Sequence, residues 1–286
     1  MKTLVGKNNY LFLINDSSDE LNIHLNNIDL VSINSINIYR EYINKLLLIV
    51  IPGKPVVFPQ YLPIENHTIY RPGFLKYKQY LNNSVLDTFQ VINNIDSFYK
   101  TDTHPNFLGI YEIYKLFIST INNKFNLNII MIPINIEYKN CILSELNMGI
   151  GDLTWPLNKG DTILENIIDT YYYTCSIDMM YNKYIFTNMS FLRIMNNNLC
   201  DITDNFKDMI LDWNIVTKNI LYYNNTLSIN KFKSVIFCDS FIIHFIGLFL
   251  HTLSETYIIK DVFNPDIINK INPDYIFEFR AERFLR

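Results

Sequence analysis

The chain has 286 residues, 49% of them hydrophobic and 18% charged, with a formal net charge of −4 and a pI near 5.7. That length suits one large domain, or one domain with a sizeable insertion, with a real core, and without a basic block no nucleic-acid phosphate footprint is expected. None of the four cysteines, Cys141, Cys175, Cys200 and Cys238, sits in a CxxC pair, so free thiols are expected and no metal site is predicted.

The opening "MKTLVGKNNYLFLIND" lacks the apolar core and small-residue cleavage site of a signal peptide, so a cytoplasmic location is expected. Five short apolar runs read as buried parallel strands: "LLLIVIP" (46–52), "NIIMIPI" (128–134), "SVIFCDS" (234–240), "TYIIK" (256–260) and "DYIFEF" (274–279). Near-continuous Val, Ile, Leu and Phe is what a strand covered on both faces requires.

Between the first two strands, "NFLGIYEIYKLFISTINNKF" (106–125) places Leu108, Tyr111, Ile113, Tyr114, Phe117, Ile118 and Ile121 at three- and four-residue steps. This predicts an amphipathic helix, with Asn106 as its N-cap. After the third strand, "SFIIHFIGLFLHTLSE" (240–255) predicts an apolar helix packed on the sheet; its greasy run is too short to span a bilayer. Strands alternating with helices give an α/β layered fold with a mostly parallel sheet of about five strands. The stretch 141–230 breaks this rhythm and is expected to be an insertion or lid within a single domain spanning 1–286.

Two stretches carry candidate chemistry. In "SVIFCDSF" a strand ends on Asp239-Ser240 and runs into a helix. In open α/β sheets, ligands sit outside the carboxyl ends of the strands. There Ser240 reads either as a helix cap or as a nucleophile, with its own amide and that of Phe241 as oxyanion donors. A serine needs a base, and histidine is the usual one. His104 lies in "YKTDTHPNF", with Asp102 two residues before it. In a non-helical segment that spacing turns both side chains the same way, so Asp102 can orient the imidazole; the alternative is a simple helix cap. His24 and His67 have no acid at a comparable spacing, and His244, one turn from Ser240, and His251 read as core histidines of the apolar helix. Trp155 reads as a sugar-stacking face or as ordinary packing beside Pro156. Arg71 reads as a substrate ligand or an ion-pair partner, and Glu282 with Arg283 as a structural pair.

Taken in order, "GKNNYLFLIND", "IPGKPVVFPQYLP", "YRPGFLKYK", "SFYKTDTHPNFLG", "KSVIFCDSF" and "INPDYIFEFRAERFL" resemble the motifs of the alginate O-acetyltransferase group of SGNH-hydrolase-like proteins (the AlgX/AlgJ type). The resemblance covers roughly the first 115 and the last 60 residues and weakens across 141–230. It implies an SGNH-like three-layer fold and a Ser-His-Asp triad with Ser240 as nucleophile, His104 as base and Asp102 as its orienter. It implies an O-acetyltransferase that moves acetyl through an acetyl-serine onto a sugar hydroxyl of a glycan. Such a reaction draws on an acyl donor, acetyl-CoA or an acetylated carrier, and needs no other cofactor. The other readings are a carbohydrate acetylesterase with the same triad and a non-catalytic glycan-binding protein on the same fold. Two positions depart from the pattern: Pro105 stands where the group has Trp after the histidine, and Cys238 precedes the Asp-Ser pair where Gly or Arg is usual.

Overall fold

The structure, a computed structural model, describes residues 2–131, 152–154, 157, 220–225, 228, 230–243, 246–250 and 252–286, with the backbone of strands over 134–139, 172–179, 182–186 and 199–201. Its strands are β1 (Lys2–Val5), β2 (Leu11–Ile14), β3 (Leu46–Ile51), β4 (Val85–Asp87), β5 (Ile134–Lys139), β6 (Tyr172–Met179), β7 (Asn182–Phe186), β8 (Leu199–Asp201), β9 (Ile220–Asn224), β10 (Lys233–Cys238), β11 (Glu255–Ile259) and β12 (Tyr275–Ala281). Seven of them form the central sheet in the order β4-β3-β12-β10-β11-β9-β8. The first five are parallel to one another, and β9 and β8 add an antiparallel edge. β1 and β2 make a small hairpin, and β5, β6 and β7 form a sheet of their own.

Side-chain alternation splits the central strands between two cores, as a period of two requires. Leu47, Ile49, Ile51, Ile236, Cys238, Phe277, Phe279 and Ala281 face one way. Leu46, Leu48, Val50, Val235, Phe237 and Ile276 face the other. Helices cover both faces, giving three layers. α1 (Glu20–Asn26) follows the hairpin. α2 (Ile33–Arg40) packs on the second face, α3 (Lys54–Val57) caps the end of β3, and α4 (Pro72–Leu81) again packs on the second face. The short α5 (Phe89–Ile92) and the long α6 (Phe107–Phe125) cover the first face, as do α7 (Ser240–Ile243) and α8 (Ile246–Leu250); α9 (Pro265–Ile271) covers the second.

α6 forms as its periodicity predicts. Asn106 caps it by accepting from the Gly109 amide at 3.0 Å, and Ile110, Ile113, Tyr114, Phe117, Ile118 and Ile121 are buried on the sheet. A Cβ on Gly109 would come within 2.4 Å of the Ser97 carbonyl oxygen, so glycine lets the preceding loop lie against the helix start.

Two expectations need correction. The run 128–134 is not a central strand: residues 128–131 are irregular, and β5 begins only at Ile134, in the separate sheet. Ile129 is nevertheless buried, because Asn122 pairs with its backbone, donating to the carbonyl oxygen at 2.9 Å and accepting from the amide at 2.8 Å. One amide side chain thus does the work of a strand neighbour. The fifth parallel strand is the three-residue β4, too short to show as an apolar run. The expected helix 240–255 ends by Leu250, because Glu255 already begins β11. No described helix is long and apolar enough to cross a membrane.

Candidate active site

The carboxyl end of β10 presents two adjacent polar residues to opposite sides of the sheet. Cys238 points into the first core, so Asp239 turns toward the second face and Ser240 back toward the first. Asp239 is consumed by backbone there. One carboxylate oxygen accepts from the Phe241 amide at 2.9 Å, the other from the Ala281 amide at 2.6 Å. It therefore pins the start of α7 to the end of β12. Cys238 is fully buried, and burial with the Asp239 charge beside it pushes its thiol up to about 12.

The loop 97–106 approaches Ser240 from the first face. Its two ends are tied: Asn106 donates its amide to the Ser97 carbonyl at 2.8 Å, and Phe98 and Pro105 form an antiparallel bridge. Pro105 lacks an amide proton and holds His104 away from helical angles. The departure from Trp thus falls on a buried residue that closes the loop. The entry strand of the loop is tied to β2, because the buried Lys54 ammonium donates to the carbonyls of Leu11 and Lys100 at 2.9 and 3.0 Å.

At the tip, three side chains come together. His104 Nε2 lies 3.0 Å from Ser240 Oγ, and His104 Nδ1 lies 2.5 Å from Asp102 Oδ1. The same Asp102 oxygen accepts from the His104 amide at 2.9 Å, and its other oxygen accepts from the Asp152 amide at 3.1 Å. Burial alone would raise the Asp102 carboxyl, but the His104 imidazole and these two amides outweigh it and hold Asp102 at about 2. The carboxylate is therefore ionised and acceptor-only near neutrality, which keeps the Nδ1 proton on the histidine and sets Nε2 to accept from the Ser240 hydroxyl.

Asp152 went unnoticed in the sequence, although "GDLTWP" sets an acid three residues before the singled-out Trp155. Its carboxylate accepts from the Thr103 amide at 2.8 Å and the Thr103 hydroxyl at 2.6 Å, and lies 3.9 Å from His104 Nδ1. Donor atoms of Asp102, His104 and Asp152 fall within 4.8 Å of one another, a spacing one cation can bridge. Hydrogen bonds already account for all three side chains.

The remaining candidates are placed differently. The Phe241 amide is committed to Asp239 and is not a free oxyanion donor; the Phe241 ring instead backs the imidazole at 5.2 Å between centroids and carries the Arg283 guanidinium at 5.0 Å. Among the described residues no hydrogen bond engages the Ser240 amide. Arg71 is spent on carboxylates: two bonds of 2.8 Å to Asp87, and a fork to Glu282 at 2.8 and 3.1 Å from Nε with 2.7 Å from Nη2. Of the two readings of Arg71, the contacts present are those of the ion-pair partner. Glu282 thus pairs with Arg71, while Arg283 reaches Glu20 at 3.7 Å. His24 and His67 contact backbone carbonyls of Tyr70 and Ile64. Trp155, His244 and His251 lie outside the described residues.

No family model matches the sequence, and no curated protein matches it. Solved structures do. Bacillus cereus PatB1 carrying a sulfonyl adduct superposes with a TM-score of 0.58 at 14% identity, over 99% of this chain and 97% of that one. The O-acetyltransferase domain of Pseudomonas putida AlgJ gives 0.53 at 14%, over 99% and 92%. The chain has an SGNH-like fold. A DHHW family protein from Eubacterium siraeum shares the architecture too, at 0.56 and 13%, over 100% and 95%.

Proposed function

We propose that this protein is an O-acetyltransferase that carries an acetyl group on Ser240 to a sugar hydroxyl of a glycan. The observation that supports it most is the unbroken relay Ser240–His104–Asp102, at 3.0 and 2.5 Å, at the carboxyl end of a central strand. The AlgJ neighbour, an O-acetyltransferase domain, points to the same reaction.

His104 Nε2 takes the Ser240 proton as Oγ attacks the carbonyl carbon of an acetyl donor, acetyl-CoA or an acetylated carrier. The Ser240 amide donates to the developing oxyanion. The intermediate collapses, His104 returns the proton to the donor's leaving group, and acetyl-Ser240 remains. A sugar hydroxyl then loses its proton to Nε2 and attacks the acetyl carbon. Collapse restores Ser240 Oγ, which recovers that proton. Asp102 stays ionised throughout and stabilises the imidazolium formed in each half. With water as acceptor the same cycle is ester hydrolysis, so exclusion of water decides the outcome. Trp155 is assigned to offer a face to the sugar; the 141–230 stretch, expected to be an insertion or lid, instead contributes β8 and β9 to the central sheet.

The test is mass spectrometry of the intact protein after an activated acetyl ester or a sulfonyl fluoride. One adduct, on the Ser240 peptide and absent from Ser240→Ala, is expected. Equal labelling of both proteins removes Ser240 as nucleophile. Adding an oligosaccharide acceptor distinguishes acetylated sugar from free acetate.

A further inference from the structure

We infer that Asp152 is a positioning residue for the catalytic histidine, acting through the loop 101–104 and not through substrate. The inference rests on the reading of Ser240, His104 and Asp102 as a catalytic relay, and adds a fourth member brought in from the far side of the 132–151 stretch.

Asp152 holds the loop tip from three directions. Its amide donates to the Asp102 oxygen that His104 leaves unused. Its carboxylate takes both donors of Thr103, the residue between the acid and the base. The next amide, of Leu153, donates to the Thr101 carbonyl at 3.1 Å, and the Leu153 carbonyl accepts from the Thr3 hydroxyl at 2.6 Å. Leu153 is buried against Leu11 and Leu13 of β2. The short 152–154 turn is thereby fixed to the hairpin and in turn fixes 101–104. Among the described residues, the one other hydrogen bond of the Thr103 side chain is a 3.4 Å contact with Nδ1 of the adjacent His104, within the loop itself. A tip that shifts by an ångström moves Nε2 out of reach of Oγ, the kind of displacement that costs about 100-fold in rate.

The Asp152 charge adds a second, separable effect. A carboxylate 3.9 Å from Nδ1 favours the imidazolium that forms during each proton transfer. Across a half-exposed gap that interaction amounts to about a factor of five in rate.

Two substitutions separate the effects. Asp152→Asn keeps an oxygen for the Thr103 amide and an amide for Asp102 but loses the charge; acylation of Ser240 by the acetyl ester is expected to slow about 5-fold. Asp152→Ala loses the side-chain grip as well and is expected to slow it about 10- to 100-fold, with KM for the ester little changed. The second readout does not need activity. The Nδ1 proton held between His104 and Asp102 should give a low-field proton NMR resonance, assigned by its loss in His104→Ala. It is expected to persist in Asp152→Asn and to broaden or move upfield in Asp152→Ala. If Asp152→Ala does not fold, Thr103→Val, which keeps the amide contact and removes the hydroxyl one, is expected to move the resonance in the same direction by less. A folded Asp152→Ala with native acylation rate and native resonance overturns the inference; so does an unmoved resonance in Thr103→Val where that variant has to stand in. If the native protein never acylates, the proposed function fails, and the resonance alone still decides the place of Asp152.

Discussion

Two ionic clusters sit at the same end of the sheet, and they differ in what they leave free. Around Arg71, three ionised groups close on one another: Asp87 and Glu282 take every guanidinium nitrogen, and the cation rests 4.1 Å above the Phe74 ring. Around His104, one carboxylate holds one nitrogen, and the other nitrogen faces a hydroxyl at 3.0 Å. A guanidinium cannot surrender a proton, so its cluster can only stabilise. An imidazole can pass one along, so its cluster can work. Paired charge by itself therefore does not distinguish structure from chemistry. What distinguishes them is whether the titrating group has a partner able to react.

The sharpest break between the two clusters is expected in rate. Ser240→Ala or His104→Ala should lower acyl transfer on the order of 10⁴-fold or more, with Ser240→Ala leaving thermal unfolding near native. Initial-rate assays beside calorimetry check this. If His104→Ala keeps substantial activity, the base lies elsewhere. Arg71→Ala should invert the pattern. It strands Glu282, a carboxyl that burial already pushes up, without its guanidinium partner, and should cost about 3–5 kcal/mol in denaturant unfolding. Its effect on rate per folded molecule should be small, and a large loss of rate without a loss of stability would return Arg71 to the list of substrate ligands.

Acid draws the comparison more finely. Asp102 sits at about 2, below its ordinary 3.8. A depressed carboxyl stabilises the fold fully above its unfolded value and stops doing so as the pH falls through its folded value. Between roughly pH 4 and pH 2 the native protein should lose about 2 kcal/mol that Asp102→Asn does not lose. Urea unfolding of both proteins across that window measures it, and parallel curves would mean that Asp102 is not held ionised by the relay.

Each part of this site reads as a local pattern in the sequence, and the family resemblance is what brought the parts together. Asp102 and His104 are two residues apart, and an extended backbone sets both on one side. Ser240 follows an apolar run that can only be a buried strand. The parts that were not legible depend on distant segments. Asp152 meets Thr103 across a separation of 49 residues, with no periodicity or spacing to announce it. β4 is a strand because β3 offers it an edge, since three residues carry no pattern of their own. The Phe241 amide was read as free because helix geometry leaves first-turn donors unpaired. Its partner proved to be the neighbouring Asp239, a local side-chain capture that the same sequence allowed.

Asp239 gives the smallest effect and the most direct comparison, because it adjoins Ser240 and alternation sends the two to opposite faces. Both of its oxygens accept from backbone amides, of Phe241 and of Ala281, so it joins α7 to β12 directly beside Ser240. Asp239→Asn keeps one acceptor and turns an amide group toward the other N–H, leaving one buried donor unsatisfied. The expected cost is about 1–2 kcal/mol of stability. Because α7 begins at Ser240, the same loosening should reach Oγ, and acylation should slow a few-fold even though Asp239 touches no reacting atom. Asp239→Ala, which leaves both amides bare, should roughly double the stability loss. If both variants keep native stability and lose rate as severely as His104→Ala, Asp239 belongs to the relay, and the division of labour between the two faces of the sheet is wrong.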